Sequence, residues 1–426
     1  MHRRFAGRGG WSYLDILVSL AAPAPHPPEE PPLAGDSRFR PADVLTVAAS
    51  HAVHDSFTGF VPVLLPHFVE RLALSNVLAG WLAAFTQLPS ILQPLFGHLA
   101  DRFVLRWVVM LAPAVTATLM SLAGWAPNYP TLALLFAVAG LSSAAFHAVG
   151  SATAGHLSAR HLGKGLSVWM VGGELGSVLG PLMVSAALTV ATLRGLSWFM
   201  TLGWLASLIL YLRLRNSPLH PVVSADRPHW RFALGKMRRV MLLMAGLVVL
   251  RSLAVSAASV FTPILLKEQG SSGLVAGAGV ALFQASGMAG TLAAGWMSDR
   301  VGRRLVLISG VLVGSAALLL FAVLGGWTRF IFLALAGAAT VSIHPVCMAI
   351  VQESFPESRG LANAVYLSIA FVVFSGAAVA VGALGDGIGL RSTFVVGSGV
   401  ILLSIPLVLA LPGAARRSSG ARRRHR

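Results

Sequence analysis

The stretch TVAASHAVHDSFTGFVPVLLPHF, residues 46–68, places ionisable side chains in the middle of an apolar segment that is long enough to cross a bilayer. His51 and Asp55 are four residues apart and share one helix face, with His54 beside them. Burial favours the protonated carboxyl, whereas a neighbouring imidazolium favours the carboxylate. We therefore predict that His51, His54 and Asp55 exchange a coupled proton; the alternative is a buried polar cluster that only fixes helix packing.

Two further charged residues fall near the middle of apolar segments. Glu174 is either a second protonatable carboxyl or the ion-pair partner of an arginine in the other half of the chain. Arg251 keeps its charge, so it needs a carboxylate or an anionic ligand. Ion pairing and binding of a substrate anion both remain open for Arg251, and one transport cycle can alternate between them.

Several polar residues are weaker candidates for substrate contact. His147 and His344 occupy matching places in the two halves, and a packed, hydrogen-bonded histidine is the alternative for each. Gln87 and Gln284 lie in apolar segments of the two halves. The short H-x-x-H of His51 and His54 raises the question of metal transport, but no acidic or cysteine cluster joins it in the sequence. We therefore predict no metal site and no cofactor.

The composition indicates that these residues lie in a polytopic helical membrane protein. The chain is 56% hydrophobic and 11% charged, against about 25% charged in a soluble domain. The single Cys347 excludes an intramolecular disulfide. Apolar runs predict twelve spans, at 44–66, 76–99, 107–125, 131–154, 164–192, 195–215, 239–264, 274–298, 305–325, 328–352, 360–384 and 388–412.

The placement of basic residues predicts the orientation. Of 32 Lys and Arg, 26 fall on the side at which the odd-numbered spans begin, five fall on the other side, and Arg251 lies within a span. We call the first the basic side; the positive-inside rule makes it cytoplasmic, with both termini there. A multi-pass protein of the bacterial inner membrane follows. The tail ARRSSGARRRHR predicts contact with anionic lipid, with RNA binding as the alternative.

The polar segments predict the domain organisation. We expect a cytoplasmic, disordered tail at 1–43, six-helix bundles at 44–215 and 239–412, a cytoplasmic linker at 216–238 and a basic tail at 413–426. The first segment also resembles a weak signal peptide, and a translation start assigned too far upstream is a further alternative.

The two halves repeat one another in order. GHLADR at 97–102 matches GWMSDR at 295–300, and FHAVG at 146–150 matches IHPVC at 343–347. VPVLLP and KGLSVW in the first half match TPILLK and RGLANA in the second. A duplicated six-helix unit is typical of secondary transporters whose halves face each other across a central cavity.

GHLADR and GWMSDRVGRR resemble the loop 2–3 and loop 8–9 motif of the major facilitator superfamily. Val104 and Leu105 depart from it in the first copy, where Gly and a basic residue are usual. The resemblance implies a gate on the cytoplasmic side, in which Gly allows close helix approach and Asp pairs with nearby Arg. The implied gating residues are Gly97, Asp101, Arg102, Gly295, Asp299, Arg300, Arg303 and Arg304, to which QESFPESRG adds Glu353 paired with Arg359.

SHAVHD, LQPLFGHLADR, VGGELGSVLGPL and QESFPESRG resemble the fosmidomycin-resistance branch of that superfamily. Gly176, Gly180 and Pro181 resemble the antiporter motif of helix 5, without its closing Gly pair. The resemblance implies proton-driven efflux of a small, drug-like or anionic molecule such as a fosmidomycin-type phosphonate. Ala148 and Val149 replace the usual Pro-Glu, and His54 replaces an Asn, so the substrate and the proton site can differ.

Other functions fit the sequence less well. An importer or facilitator of a small metabolite is the main alternative to an exporter. A membrane enzyme or sensor would need a nucleophile, a metal-ligand set or a soluble domain, and no Walker A, H-E-x-x-H or G-x-S-x-G site has supporting context. We predict a non-enzymatic transporter that works as a monomer on protons and a small molecule, without nucleic acid.

Overall fold

A computed structural model describes residues 39–158, 161–216, 230–355 and 359–411, with side chains except at 101, 102, 162, 230–236 and 359–361. Most of the predicted tail at 1–43, most of the linker at 216–238 and the tail at 413–426 lie outside the described residues. The described part is helical. Its first half contains α1 Pro41–Thr58, α2 Val61–Leu72, α3 Asn76–Gln87, α4 Gln93–Arg102, α5 Arg106–Ser121, α6 Tyr129–Leu157, α7 Leu162–Val190 and α8 Met200–Leu214.

The second half also forms six spans, and its first span is likewise broken, but its other breaks fall in different spans. It contains α9 Trp230–Ser256, α10 Thr262–Glu268, α11 Gly273–Val301, α12 Arg303–Val323, α13 Thr328–Val341, α14 Ile343–Ser354, α15 Arg359–Ile388, α16 Leu390–Val400 and α17 Ile405–Ala410. Joining broken helices gives twelve spans: α1–α2, α3–α4, α5, α6, α7, α8, α9–α10, α11, α12, α13–α14, α15 and α16–α17. The predicted twelve-helix membrane fold is confirmed.

Ten helices of the described part are long and apolar enough to cross a membrane. Spans 1 and 2 are the two spans that these ten do not include. Span 1 breaks between α1 and α2 because Pro62 has no N–H to bond the carbonyl four residues earlier. Span 2 contains the 3₁₀ turn Leu88–Leu92, which includes Pro89 and precedes Pro94. Both breaks follow from prolines that the sequence displays.

Small residues let span 5 approach span 1 very closely. A Cβ at Gly176 would lie 2.4 Å from the Ala52 carbonyl oxygen, and one at Gly180 would lie 2.2 Å from that of Ser56. A Cβ at Gly172 would likewise lie 2.2 Å from the Ala48 carbonyl oxygen. Glycines every four residues on α7 therefore face small residues every four residues on α1, which is the small-xxx-small packing of membrane helices. The antiporter-like segment thus fixes α7 against the helix that carries Asp55.

The close contacts between the halves lie on the side opposite the basic side. α3 packs on α15, where a Cβ at Gly80 would lie 2.4 Å from the Ala378 carbonyl oxygen. α7 packs on α11, where a Cβ at Gly277 would meet the Ser185 side chain at 1.6 Å. Toward the basic side, α4 packs on α6 of its own half. This distribution corresponds to a conformation that is closed on the opposite side.

Candidate functional site

Asp55 lies in a buried cluster with three histidines at the middle of span 1. Its Oδ2 is 3.1 Å from His51 Nε2, and its Oδ1 is 2.9 Å from His54 Nδ1 and 3.4 Å from His147 Nε2. The Nε2 atoms of His51 and His147 are themselves 3.2 Å apart. His51, His54 and Asp55 are buried, whereas the His147 side chain is 32% exposed. The cluster therefore opens on the side of His147.

Two backbone carbonyls fix the ring orientation of His51 and His147. His51 Nδ1 lies 2.9 Å from the Trp169 carbonyl oxygen, and His147 Nδ1 lies 2.8 Å from that of Ser143. A carbonyl oxygen only accepts hydrogen bonds, so each Nδ1 carries a hydrogen. The Nε2 of each neutral ring is then a lone-pair acceptor. These two lone pairs and the Asp55 carboxylate point at one another, which is unfavourable unless a proton or cation lies between them.

His54 holds the carboxylate from the other side. Its Nδ1 bonds Asp55 Oδ1, and its Nε2 lies 3.1 Å from the Thr116 hydroxyl. Thr116 in turn bonds Ser142 at 3.0 Å. Both ring nitrogens of His54 are thereby engaged, and the chain of hydrogen bonds links span 1 to spans 3 and 4. His54 fixes the orientation of the carboxylate that His51 and His147 face.

Aromatic rings and a glycine shape the walls of the cluster. Trp169 stacks on His51 with ring centroids 3.8 Å apart, and Phe146 stacks on His54 at 4.3 Å. A Cβ at Gly173 would lie 2.7 Å from His51 Nε2 and 3.0 Å from Asp55 Oδ2. The absence of a side chain at residue 173 leaves the space that His51 Nε2 and Asp55 Oδ2 occupy. Glu174, the next residue, is half-buried.

Arg251 lies in the second half and points its Nε at the break in span 10. The Nε–H donates to the Thr340 carbonyl oxygen at 2.7 Å. This carbonyl belongs to the last turn of α13, whose negative dipole end favours a cation. α13 ends here because Pro345 cannot supply the next backbone donor. Among the ion pairs found in the described residues, none joins Arg251 to Glu174, so the predicted pair is not formed in this conformation.

The remaining intramembrane candidates do not join the Asp55 cluster. His344 bonds the Tyr366 hydroxyl at 3.0 Å and stacks on its ring with centroids 5.3 Å apart. Tyr366 is buried in α15. Gln87 and Gln284 are half-buried at the end of α3 and within α11. The structure thus separates a carboxylate–imidazole cluster in the first half from an arginine–histidine–tyrosine group in the second.

The loop 8–9 motif forms an ion-pair cluster on the basic side. Arg303 bonds Asp299 at 2.6 Å and Glu353 at 2.9 Å, and it donates to the Ser298 hydroxyl. Asp299 thus pairs with Arg303 and not with the adjacent Arg300, whose guanidinium lies 3.5 Å from the Trp296 ring centre. Spans 8, 9 and 10 of one half are joined in this way.

Other gating candidates take different positions. Arg304 donates to the Leu411 carbonyl oxygen, and the side chain of Arg359, the expected partner of Glu353, lies outside the described ones, as do those of Asp101 and Arg102. The close helix approach expected at Gly97 and Gly295 is wrong for this conformation, because a Cβ at either would have nothing within 4 Å. Their neighbours are distant because the close contacts between the halves lie on the opposite side.

One glycine of the motif has a clear conformational role. Gly302 joins α11 to α12 at φ +97°, a left-handed conformation that favours glycine. Val104 stands at the corresponding turn of the first half, where Phe103 is extended at φ −126°. The first copy therefore makes a different turn, which explains why it tolerates the loss of the glycine.

Sequence reasoning missed three residues that complete the two groups. Trp169 supplies both the carbonyl and the ring that hold His51. Thr116 and Tyr366 were not singled out. A partial signal existed, because KGLSVW and RGLANA repeat between the halves, and the aromatic residues near the two repeats both contact a central histidine.

Comparison with known proteins identifies the family to which this fold belongs. The model of the Major Facilitator Superfamily matches residues 47–278 and 244–426. The chain is 23% identical over 347 residues to the fosmidomycin resistance protein of Escherichia coli (strain K12), covering 80% of this chain and 85% of that protein. It is 26% identical over 364 residues to the uncharacterized MFS-type transporter YfnC of Bacillus subtilis (strain 168), covering 83% and 88%.

A solved structure shows the same fold. The crystal structure of the nucleoside transporter NupG superposes with a TM-score of 0.72 at 14% identity, covering 87% of this chain and 98% of that chain. The matching family and the fold are those of polytopic membrane transporters. The chain belongs to the major facilitator superfamily, and the predicted resemblance to its fosmidomycin-resistance branch is confirmed.

Proposed function

We propose that this protein is a proton-coupled exporter of a small anionic molecule in the bacterial inner membrane, with both termini cytoplasmic. The observation that carries the proposal is the convergence of His51 Nε2, His147 Nε2 and the Asp55 carboxylate at bilayer depth. Such intramembrane groups are costly and are typical of proton and substrate pathways. The name of the Escherichia coli relative supports efflux as the direction.

In this proposal the coupled proton binds between the facing Nε2 atoms of His51 and His147. One proton added to either facing Nε2 converts a repulsion between acceptors into a hydrogen bond shared by spans 1 and 4. Loss of that proton restores the repulsion and favours separation of the two spans. Coupling follows if the protonated and deprotonated clusters prefer different conformations, because a ligand shifts an equilibrium only by its differential affinity for the two states.

Arg251 supplies the substrate charge in this proposal. Its Nε–H donates to the Thr340 carbonyl, and the two terminal nitrogens are the proposed donors to the substrate anion. A guanidinium binds phosphonate, phosphate or carboxylate oxygens through paired N–H donors, which a lysine cannot reproduce. His344 and Tyr366 lie in the same half and, with Gln87 and Gln284, are proposed substrate contacts. A fosmidomycin-type phosphonate is the proposed model substrate.

The test is a pair of measurements on the same variants. Expression of the wild-type chain should raise the fosmidomycin concentration that inhibits a sensitive host, and Arg251→Gln at equal membrane abundance should abolish this protection. Arg251→Lys should retain at most a small part. If inverted vesicles take up no fosmidomycin on imposing a proton gradient, fosmidomycin is not the substrate. If they instead lose accumulated fosmidomycin, the direction is import.

A further inference from the structure

The Asp55 cluster has the geometry of a transition-metal site. We propose that His51 Nε2, His147 Nε2 and the Asp55 carboxylate bind one divalent zinc-like ion. The three donor atoms meet within 4.8 Å of one another. His51 and His54 alone were too few to predict a site; the fold adds His147 from span 4, which lies far away in sequence.

The separations between donor atoms match what such an ion needs. The observed values are 3.2 Å between the two Nε2 atoms and 3.1 Å from His51 Nε2 to Asp55 Oδ2, and His147 Nε2 lies 3.4 Å from the other carboxylate oxygen, Oδ1. A tetrahedral zinc ion with bonds of about 2.0–2.1 Å separates its ligand atoms by roughly 3.3–3.4 Å. An ion therefore fits with small adjustments, and three protein ligands leave a fourth position.

The outer contacts also correspond to those of a metal centre. Metal-bound histidines usually donate their second N–H to a carbonyl or carboxylate, which fixes the tautomer and aims the other nitrogen at the metal. His51 and His147 both do so, through the carbonyls of Trp169 and Ser143. His54 binds the second carboxylate oxygen, Asp55 Oδ1, and so orients the carboxylate.

The surroundings leave room at the donor atoms. A Cβ at Gly173 of span 5 would lie 2.7 Å from His51 Nε2 and 3.0 Å from Asp55 Oδ2, so a side chain there would collide with the donor atoms. The partly exposed His147 gives an ion a route to the donor atoms. Imidazole nitrogens with one carboxylate favour zinc and its late first-row neighbours over magnesium or calcium, which prefer oxygen ligands.

The test is a binding titration that does not depend on transport. The purified full chain, freed of any affinity tag and held in detergent micelles, is titrated with Co²⁺ as the spectroscopic probe. We expect one tightly bound Co²⁺ per chain, a visible ligand-field band and its loss on adding Zn²⁺. His147→Gln should weaken Co²⁺ binding at least about tenfold, since even outer contacts of metal sites are worth that much.

His67→Gln is the matched control, because His67 lies in α2 of the same span, away from the cluster; it should bind Co²⁺ as the wild type does. Asp55→Asn and His51→Gln provide second variants in case His147→Gln does not fold, as judged by its elution and thermal unfolding. The proposal is overturned if the wild type shows no band, or if folded cluster variants bind Co²⁺ as tightly as His67→Gln. Either result would leave the transport proposal untouched.

Discussion

At the scale of single residues, the proposed function depends on how three imidazoles surround one carboxylate. Asp55 alone is a costly group in a bilayer, at about 2.5–3.5 kcal/mol on insertion scales. His54 offsets part of this cost at one carboxylate oxygen, and a proton or cation between His51 and the other oxygen would offset more of it. The position of His51 depends in turn on Trp169 and on the absence of a side chain at residue 173.

The first prediction concerns Gly173. In Gly173→Ala the new Cβ would lie 2.5 Å from His51 Cε1, so the ring must move off Asp55. Substrate transport by reconstituted protein should fall at least about tenfold, since a small misplacement of reacting groups can cost a hundredfold. Gly163→Ala in the same helix is the control: it has open space around its Cβ and should transport normally. Equal rates for the two variants would contradict the assigned geometry.

At the scale of elements, the halves meet through helix ends as well as helix faces. The Asp386 carboxylate at the end of α15 accepts hydrogen bonds from the backbone N–H groups of Asn76 and Val77 at 2.7 and 2.9 Å. These groups begin α3, so an anion also suits its positive dipole end. This contact joins the two halves on the closed side and must break when that side opens.

The second prediction follows from that contact. Asp386→Ala should destabilise the closed side by about 1 kcal/mol, the usual effect of losing a helix cap, and so raise the open population about fivefold. Spin labels at positions 190 and 327, both highly exposed, would report this as a larger long-distance fraction in a Cys347→Ser background. Asp386→Asn keeps one acceptor oxygen, so its long-distance fraction should lie between those of the wild type and Asp386→Ala. An unchanged distance distribution in Asp386→Ala would rule the contact out as a gate.

The third prediction concerns the ion pairs of the loop 8–9 motif. Asp299 is 65% exposed, so its pair with Arg303 should contribute little to stability. Asp299→Asn should therefore lower the transport rate while leaving the thermal unfolding midpoint nearly unchanged. The basis is that Arg303 bridges Asp299 and Glu353 across spans 8 to 10. A normal rate at matched expression would show that the cluster is not a gate.

At the scale of the whole molecule, the sequence predicted the membrane fold, because apolar run lengths and repeated motifs depend on local pattern alone. It also placed Asp55 beside His51, since residues four apart lie on the same face of α1. It could not place His147 in the cluster, because that contact depends on how spans 1 and 4 pack. For the same reason it left an Arg251–Glu174 pair open, whereas in the structure Arg251 donates to the Thr340 carbonyl beside the break in span 10.

The conformation of the whole molecule explains why the motif glycines lack the expected contacts. Motif glycines were expected at close helix contacts on the basic side, yet in this state the tight contacts lie on the opposite side, at residues such as Gly80 and Gly277. A sequence encodes every state of a transport cycle at once. The proposed cycle alternates these two sets of contacts, with the protonation of the Asp55 cluster favouring one of them.

The most direct test of proton coupling at Asp55 is transport by Asp55→Asn in sealed proteoliposomes, using a substrate that the wild type moves. Asparagine keeps the size and one acceptor but removes the charge that would hold a proton among His51, His147 and Asp55. We predict that uphill transport driven by an imposed proton gradient disappears, while exchange of substrate without a gradient persists. Uphill transport by Asp55→Asn at the wild-type rate would contradict the assignment and make Glu174 the next carboxyl to test.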